Sequence, residues 1–166
     1  MFSTMFREQK SDEIEYNGKK INKCYAFNRK GEYILNFRFI DCPSSIAQAI
    51  VIHWRSFEGK IFINGEKISI SKGSLPQTVF SEKTTAKQFE IKVVLNGGEF
   101  IICNGSDLFG DQSVWRTLYG GCAMIIEPIG ENTLRFYCND HEEDDDFNDL
   151  IFELDIIEAN SASDDE

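Results

Sequence analysis

The sequence predicts an all-β fold, an antiparallel two-layer β-sandwich of jelly-roll-like type. Three observations point there. Apolar and polar residues alternate with period two in several segments. Glycine-bearing turn signals separate those segments. Between them the chain leaves room for only short helices, at Pro43 to Gln48 and Asp107 to Leu118.

Each strand carries its own signature. In Glu32 to Ile40, Leu35, Phe37 and Phe39 face one way and Asn36 and Arg38 the other. In Lys87 to Leu95 the inward set is Phe89, Ile91, Val93 and Leu95. In Thr133 to Cys138 it is Leu134, Phe136 and Cys138, and in Asp149 to Ile156 it is Leu150, Phe152, Leu154 and Ile156. Side chains alternate across a strand, so each set describes a half-buried strand. Asn17-Gly18, Asn64-Gly65, Asn96-Gly97-Gly98 and Gly130-Glu131-Asn132 supply hairpin signals, because tight hairpins need the positive φ angles that Asn and Gly tolerate. Ala47 to Arg55 adds an apolar run. The count is eight or nine strands from residue 13 to residue 157, which fits a sandwich. Residues 1–12 and 158–166 lack periodicity and read as a flexible N-terminus and a disordered acidic tail.

Composition narrows the function classes. A chain of 166 residues with 14 Phe has enough apolar area for one domain with a real core. No apolar run approaches the roughly 20 residues needed to span a bilayer, so no membrane partner is expected. The start, Met1 to Arg7, has no apolar signal core, which predicts a cytoplasmic protein, or an exported one if the chain is truncated. The five cysteines lack C-x-x-C spacing and read as mostly reduced.

Charge is distributed unevenly. The net charge is −11, but residues 1–138 carry 17 basic and 15 acidic side chains, a balance of +2. Residues 139–166 carry 13 acidic and no basic ones, a balance of −13. Nothing resembling a basic stripe offsets that end, so nucleic acid is excluded as an expected partner.

The densest part is Asn139-Asp140-His141-Glu142-Glu143-Asp144-Asp145-Asp146-Phe147-Asn148-Asp149, directly before the strand Leu150-Ile151-Phe152. Crowded oxygen ligands suit a hard cation, and Ca²⁺ takes six to eight of them. Asp144, Asp146 and Asn148 form an alternate-position set. A tight connection brings Asp140 and Asp149 to the same rim. These five are the expected Ca²⁺ ligands, with Asp145 pointing away. Asp144-x-Asp146-x-Asn148 matches the start of an EF-hand loop, but Asp149 stands where that loop needs Gly, and a strand follows.

Phe136-Tyr137-Cys138-Asn139-Asp140 followed by Asp144-Asp145-Asp146-Phe147-Asn148-Asp149-Leu150-Ile151-Phe152 resembles the closing motif of the DUF4114 and LruC-type β-sandwich domains of bacterial surface proteins. The resemblance covers only that stretch, and Asn139 stands where the family has Glu. It implies a β-sandwich whose acidic residues hold Ca²⁺, with the roles falling on Asp140, Asp144, Asp146, Asn148 and Asp149.

A catalytic reading finds little. His53 lies in an apolar run and His141 among carboxylates that favour its protonated form. No nucleophile elbow, zinc motif or phosphate loop occurs. The expected function is therefore a non-catalytic Ca²⁺-binding sandwich module with a binding or structural role. Two alternatives stand beside it. One is a lectin-like module that lays Trp54, Trp115 and Tyr119 on a sugar and uses Asn104, Asp107 and Asp111 for its hydroxyls. The other is an assembly subunit with an acidic patch that docks a protein partner and holds no metal. The sequence leaves the oligomeric state open.

Overall fold

The computed structural model describes residues 2–54, 56–69, 77–111, 115–117, 122–140 and 145–159. A helix, α1 (Phe2–Gln9), opens the chain. The strands are β1 (Glu13–Tyr16), β2 (Lys19–Asn22), β3 (Tyr25–Phe27), β4 (Gly31–Asp41), β5 (Gln48–His53), β6 (Glu58–Ile63) and β7 (Glu66–Ile68). They continue as β8 (Gln77–Ser81), β9 (Gln88–Gly97), β10 (Phe100–Asp107), β11 (Trp115–Thr117), β12 (Ala123–Pro128), β13 (Thr133–Asn139) and β14 (Leu150–Glu158).

Two antiparallel sheets pack face to face, which is the predicted all-β sandwich. The larger runs β1-β2-β12-β13-β14-β4-β9-β6-β7. The smaller runs β11-β10-β5-β8, with β3 also paired to β10. From β2 onward the chain passes repeatedly between layers: β3 lies in the small sheet, β4 in the large, β5 in the small, β6 and β7 in the large, β8 in the small, β9 in the large.

The inward sets read from the sequence fill the space between the layers. Leu35, Phe37, Phe39, Phe89, Ile91, Val93, Leu95, Phe136, Cys138, Leu150, Phe152, Leu154 and Ile156 join one cluster with Ile50, Ile52 and Phe80 of the small sheet. Phe136 stacks on Phe152 at 4.4 Å, and Phe80 reaches across the layers to Phe89 at 4.3 Å. Each buried ring removes about 150–250 Å² from water, so this cluster dominates the folding energy.

The outward face of the large sheet carries an ion network set by register. Arg135 faces Glu153, and Glu153 faces Arg38 on the next strand. Arg38 bonds Glu153 at 3.0 Å and Asp155 at 2.5 Å, while Arg135 Nε reaches Glu153 at 2.8 Å. Glu153 and Asp155 thus lie opposite the inward set of β14, tied to partners.

Four expectations are corrected. Residues 1–12 were expected to be a flexible arm. Instead Phe2 and Phe6, one turn apart on α1, are buried against Ile14, Ile21, Ala123 and Phe147. The helix ends with Lys10 at φ 51° and Ser11 N bonded to Phe6 O at 3.1 Å, a left-handed cap. Neither segment offered for a helix is helical among the described residues: Gln48 begins β5, Asp107 ends β10 and Trp115–Thr117 is β11. Asn96-Gly97-Gly98 does not close a hairpin, because β9 and β10 lie in different sheets. There the chain is pinned to Ser56, whose hydroxyl accepts from Glu99 N at 3.2 Å. Among the described residues the strand count rises to fourteen, chiefly through short strands of three or four residues that show too few alternations to register. Of the expected tail 158–166, Glu158 closes β14 and residues 160–166 lie outside the described residues.

Candidate functional site at the acidic end of the sandwich

The acid loop joins β13 to β14, and its neck is built from paired strands. Cys138 faces Leu150, and Asp149 N donates to Cys138 O at 3.0 Å. One residue further, Asp149 Oδ2 accepts from Asp140 N at 3.0 Å. The two residues are thus neighbours, joined by the Asp140 backbone and the Asp149 carboxylate. Both are buried, Asp140 at 2% exposure and Asp149 at 8%.

Asn139 organises the surroundings. Its side-chain Oδ1 accepts from Phe147 N at 2.9 Å, and its backbone O accepts from Asn104 Nδ2 at 2.5 Å. The second bond spans the two sheets. From the connection after β4, the Ser44 hydroxyl donates to Asp140 Oδ2 at 3.2 Å. Gln48 Nε2 donates to Ile46 O at 3.0 Å and lies 3.5 Å from Ser44 Oγ. Gln48 Oε1 is buried without a hydrogen-bond partner among the described residues. Buried carbonyl oxygens rarely stay so unless a water or ion joins them.

The outer part of the loop is anchored through its one aromatic residue. Phe147 is 6% exposed, and its ring lies 5.3 Å from that of Phe2. Its backbone takes φ 51°, an uncommon conformation for a bulky residue. Tyr16 of β1 donates its hydroxyl to Asp145 Oδ2 at 3.2 Å. Partial desolvation and then the Asp145 carboxylate raise the Tyr16 phenol above its ordinary value. Helix α1, the β1–β2 hairpin and the acid loop therefore interlock on the outer face of the large sheet.

The five expected ligands do not all converge. Asp140 and Asp149 are buried together, whereas Asp146 and Asn148 are exposed. Asp146 Oδ1 instead lies 3.4 Å from Asn148 N, the spacing of a local turn. Asp144 and His141 lie outside the described residues. Among the described residues no group of three or more His, Cys, Asp or Glu is spaced to hold an ion. The donors that do cluster at the neck are hard oxygens, which is the chemistry Ca²⁺ prefers.

The sugar-site residues divide. Trp54 is corrected: it is 3% exposed, packs 4.8 Å from Phe100 and donates Nε1 to Thr78 Oγ1 at 2.9 Å. A ring closed in the core has no face to offer a pyranose. Asn104 spends its amide on Asn139, and Asp107 Oδ1 accepts from Gly110 N at 3.1 Å, so both hold the fold. Trp115 is half-buried, Asp111 is exposed, and Tyr119 lies outside the described residues. Through the Asn104–Asn139 bond, the two regions singled out in the sequence meet at the same end of the sandwich.

Sequence reasoning missed several groups there. Asp41 falls opposite Ile151, which brings the end of β4 beside the start of β14. A cleft of about 370 Å³ opens next to it, lined by Phe39, Asp41, Cys42, Glu82, Thr85 and Lys87 among others. Burial, then Glu82, Asp41 and Asp149, push the Cys42 thiol up to about 12. These residues are isolated in sequence, and only the strand order gathers them. No family model, no curated protein and no solved structure matches the chain. Among the described residues no helix is long and apolar enough to cross a membrane.

Proposed function

We propose that this domain is a non-catalytic β-sandwich module whose acidic end takes Ca²⁺, in a binding or structural role. The observation that carries the reading is the pair of buried carboxylates, Asp140 and Asp149, bonded to one another's segment at the loop neck. Burying carboxylates is costly without compensation, and a divalent cation is one compensation. Gln48 Oε1 supports the same reading as a buried oxygen in the adjoining network. Asp144, Asp146 and Asn148 supply further oxygens in the proposed ligand set. The resemblance to the DUF4114 and LruC-type domains supports the choice of Ca²⁺. The lectin-like alternative is left with Trp115, Asp111 and Tyr119, and no observation favours it over the cation.

The test is calorimetry and thermal melting of the full chain in millimolar Ca²⁺ and in EDTA. At 100 times Kd, binding adds about 2.7 kcal/mol, which is roughly 5–10 °C in Tm for a chain of this size. Asp149→Asn keeps an oxygen to accept from Asp140 N but removes the charge. It is expected to abolish the Ca²⁺ response, while Asp146→Asn weakens it and Asp145→Asn leaves it nearly intact. A Tm indifferent to Ca²⁺ and EDTA overturns the reading, and equal effects of all three variants mean diffuse charge without a site.

A further inference from the structure

None of the five cysteines is joined in a disulfide, and the β3–β10 register brings two of them together. Strands β3 and β10 pair with Phe27 opposite Phe100, Ala26 opposite Ile101 and Tyr25 opposite Ile102. One more step of the same register puts Cys24 opposite Cys103. Facing residues of an antiparallel pair have Cα atoms about 4.5 or 5.5 Å apart, and both spacings lie within the range a disulfide spans. The two side chains lie near enough for each to shift the other's thiol. The pair is asymmetric: Cys24 is half-buried just ahead of β3, and Cys103 is fully buried within β10.

We propose that Cys24 and Cys103 form a thiol–disulfide exchange site for low-molecular-weight disulfides, with Cys24 attacking and Cys103 resolving. The Cys24 thiolate attacks one sulfur of the small disulfide. That S–S bond breaks, one small thiolate leaves and takes a proton, and Cys24 carries a mixed disulfide. Cys103 then releases its proton to solvent, and its sulfur attacks the Cys24 sulfur. The bond to the small thiol breaks, and that second thiolate leaves protonated. The two protein thiols are oxidised, and one small disulfide is reduced to two thiols.

The surroundings select this order. The contact with Cys103 lowers the Cys24 thiol against the opposing effect of burial, which favours the nucleophilic thiolate. Contact with Cys24 and burial hold Cys103 well above its ordinary value, as suits a thiol that waits for the mixed disulfide. Burial likewise raises Cys42 and Cys138, and Cys122 is buried just before β12. Cys24 stands one step ahead of β3 and Cys103 lies in β10, neighbouring strands of the small sheet, so the bond would staple that strand pair.

The experiment treats the reduced full chain with oxidised glutathione under native conditions, blocks residual thiols, and maps tryptic peptides without reduction. Each cysteine falls in its own peptide, with Cys24 in residues 24–29 and Cys103 in residues 93–116. The expected result is a linked 24–29/93–116 species with loss of both free thiols, and Cys42, Cys122 and Cys138 still blocked. Cys103→Ala should halt at a glutathione adduct on Cys24. Cys24→Ser should leave Cys103 unmodified. A link from Cys103 to Cys122, glutathione on Cys103 in the Cys24→Ser protein, or no reaction of Cys24 in the unaltered chain would each overturn the proposal.

Discussion

Replacing Phe147 by Ala tests whether the acid loop and the N-terminal helix form one unit. The Phe147 ring is 6% exposed and packs with Phe2, Phe6, Ile14, Ile21 and Ala123 in a cluster separate from the main core. Truncating a buried Phe to Ala costs about 3–5 kcal/mol. The roof over this site is a helix of eight residues, which can settle into the gap, so about 3 kcal/mol is the expected loss. Backbone strain does not enter, because φ 51° is as unfavourable for Ala as for Phe. With roughly 2–4 °C per kcal/mol for a chain of this size, Tm should fall by about 6–12 °C. The inter-sheet core does not contain Phe147 and should stay cooperative.

Two measurements read the outcome. Calorimetry gives the Tm change. Amide hydrogen exchange should show lost protection in residues 2–9 and around 145–149 together, with β4, β9 and β14 retaining theirs. A Tm change under about 2 °C, or unchanged exchange in α1, would refute the idea that Phe147 ties loop to helix.

Acid should weaken the outer-face network. Burial pulls Glu153 up, but hydrogen bonds from Arg135 and Arg38 outweigh it, and the Arg38 bond holds Asp155 down. Folded values below unfolded ones mean that this stabilisation is present above the unfolded carboxylate range of about 4 and is lost as pH falls through the lower folded values. Arg38→Gln should therefore flatten the decline of Tm below about pH 4; an unchanged acid limb would count against the network. Gly98→Ala should cost more than Gly65→Ala, each having positive φ. A Cβ at Gly98 would collide with Ser56 O, whereas nothing lies within 4 Å at Gly65. The Gly65 change should cost about 1 kcal/mol, and chemical denaturation showing equal losses would refute the pinning of Gly98 to Ser56.

What the sequence made legible follows from the range over which each signal acts. The inward sets of β4, β9, β13 and β14 were readable because a half-buried strand declares its face at every second residue. Asn17-Gly18 and Asn64-Gly65 were readable because each joins strands that pair directly, and both Asn residues take φ near 50°. Asn96-Gly97-Gly98 has the same local chemistry, but a turn does not say which sheet receives the next strand. Helix α1 was silent because so short a helix is marginal by itself. It exists through Phe2 and Phe6 reaching a surface made by residues far along the chain.

The acid loop divides along the same line. Its sequence showed which oxygens were crowded, and the neck pair Asp140 and Asp149 was found from strand adjacency alone. The alternate set Asp144, Asp146 and Asn148 treated the even positions as the ligand face. Phe147 reverses that choice. An apolar ring in a run of charges goes inward, and Asp149, two residues on, is buried with it, while Asp146 and Asn148 are left exposed. Phe147, the one apolar side chain in the loop, thus sets which of the described carboxylates lie deep. A Ca²⁺ site built on this loop must depend on Asp140 and Asp149 before Asp146, and on the packing of Phe147 before either.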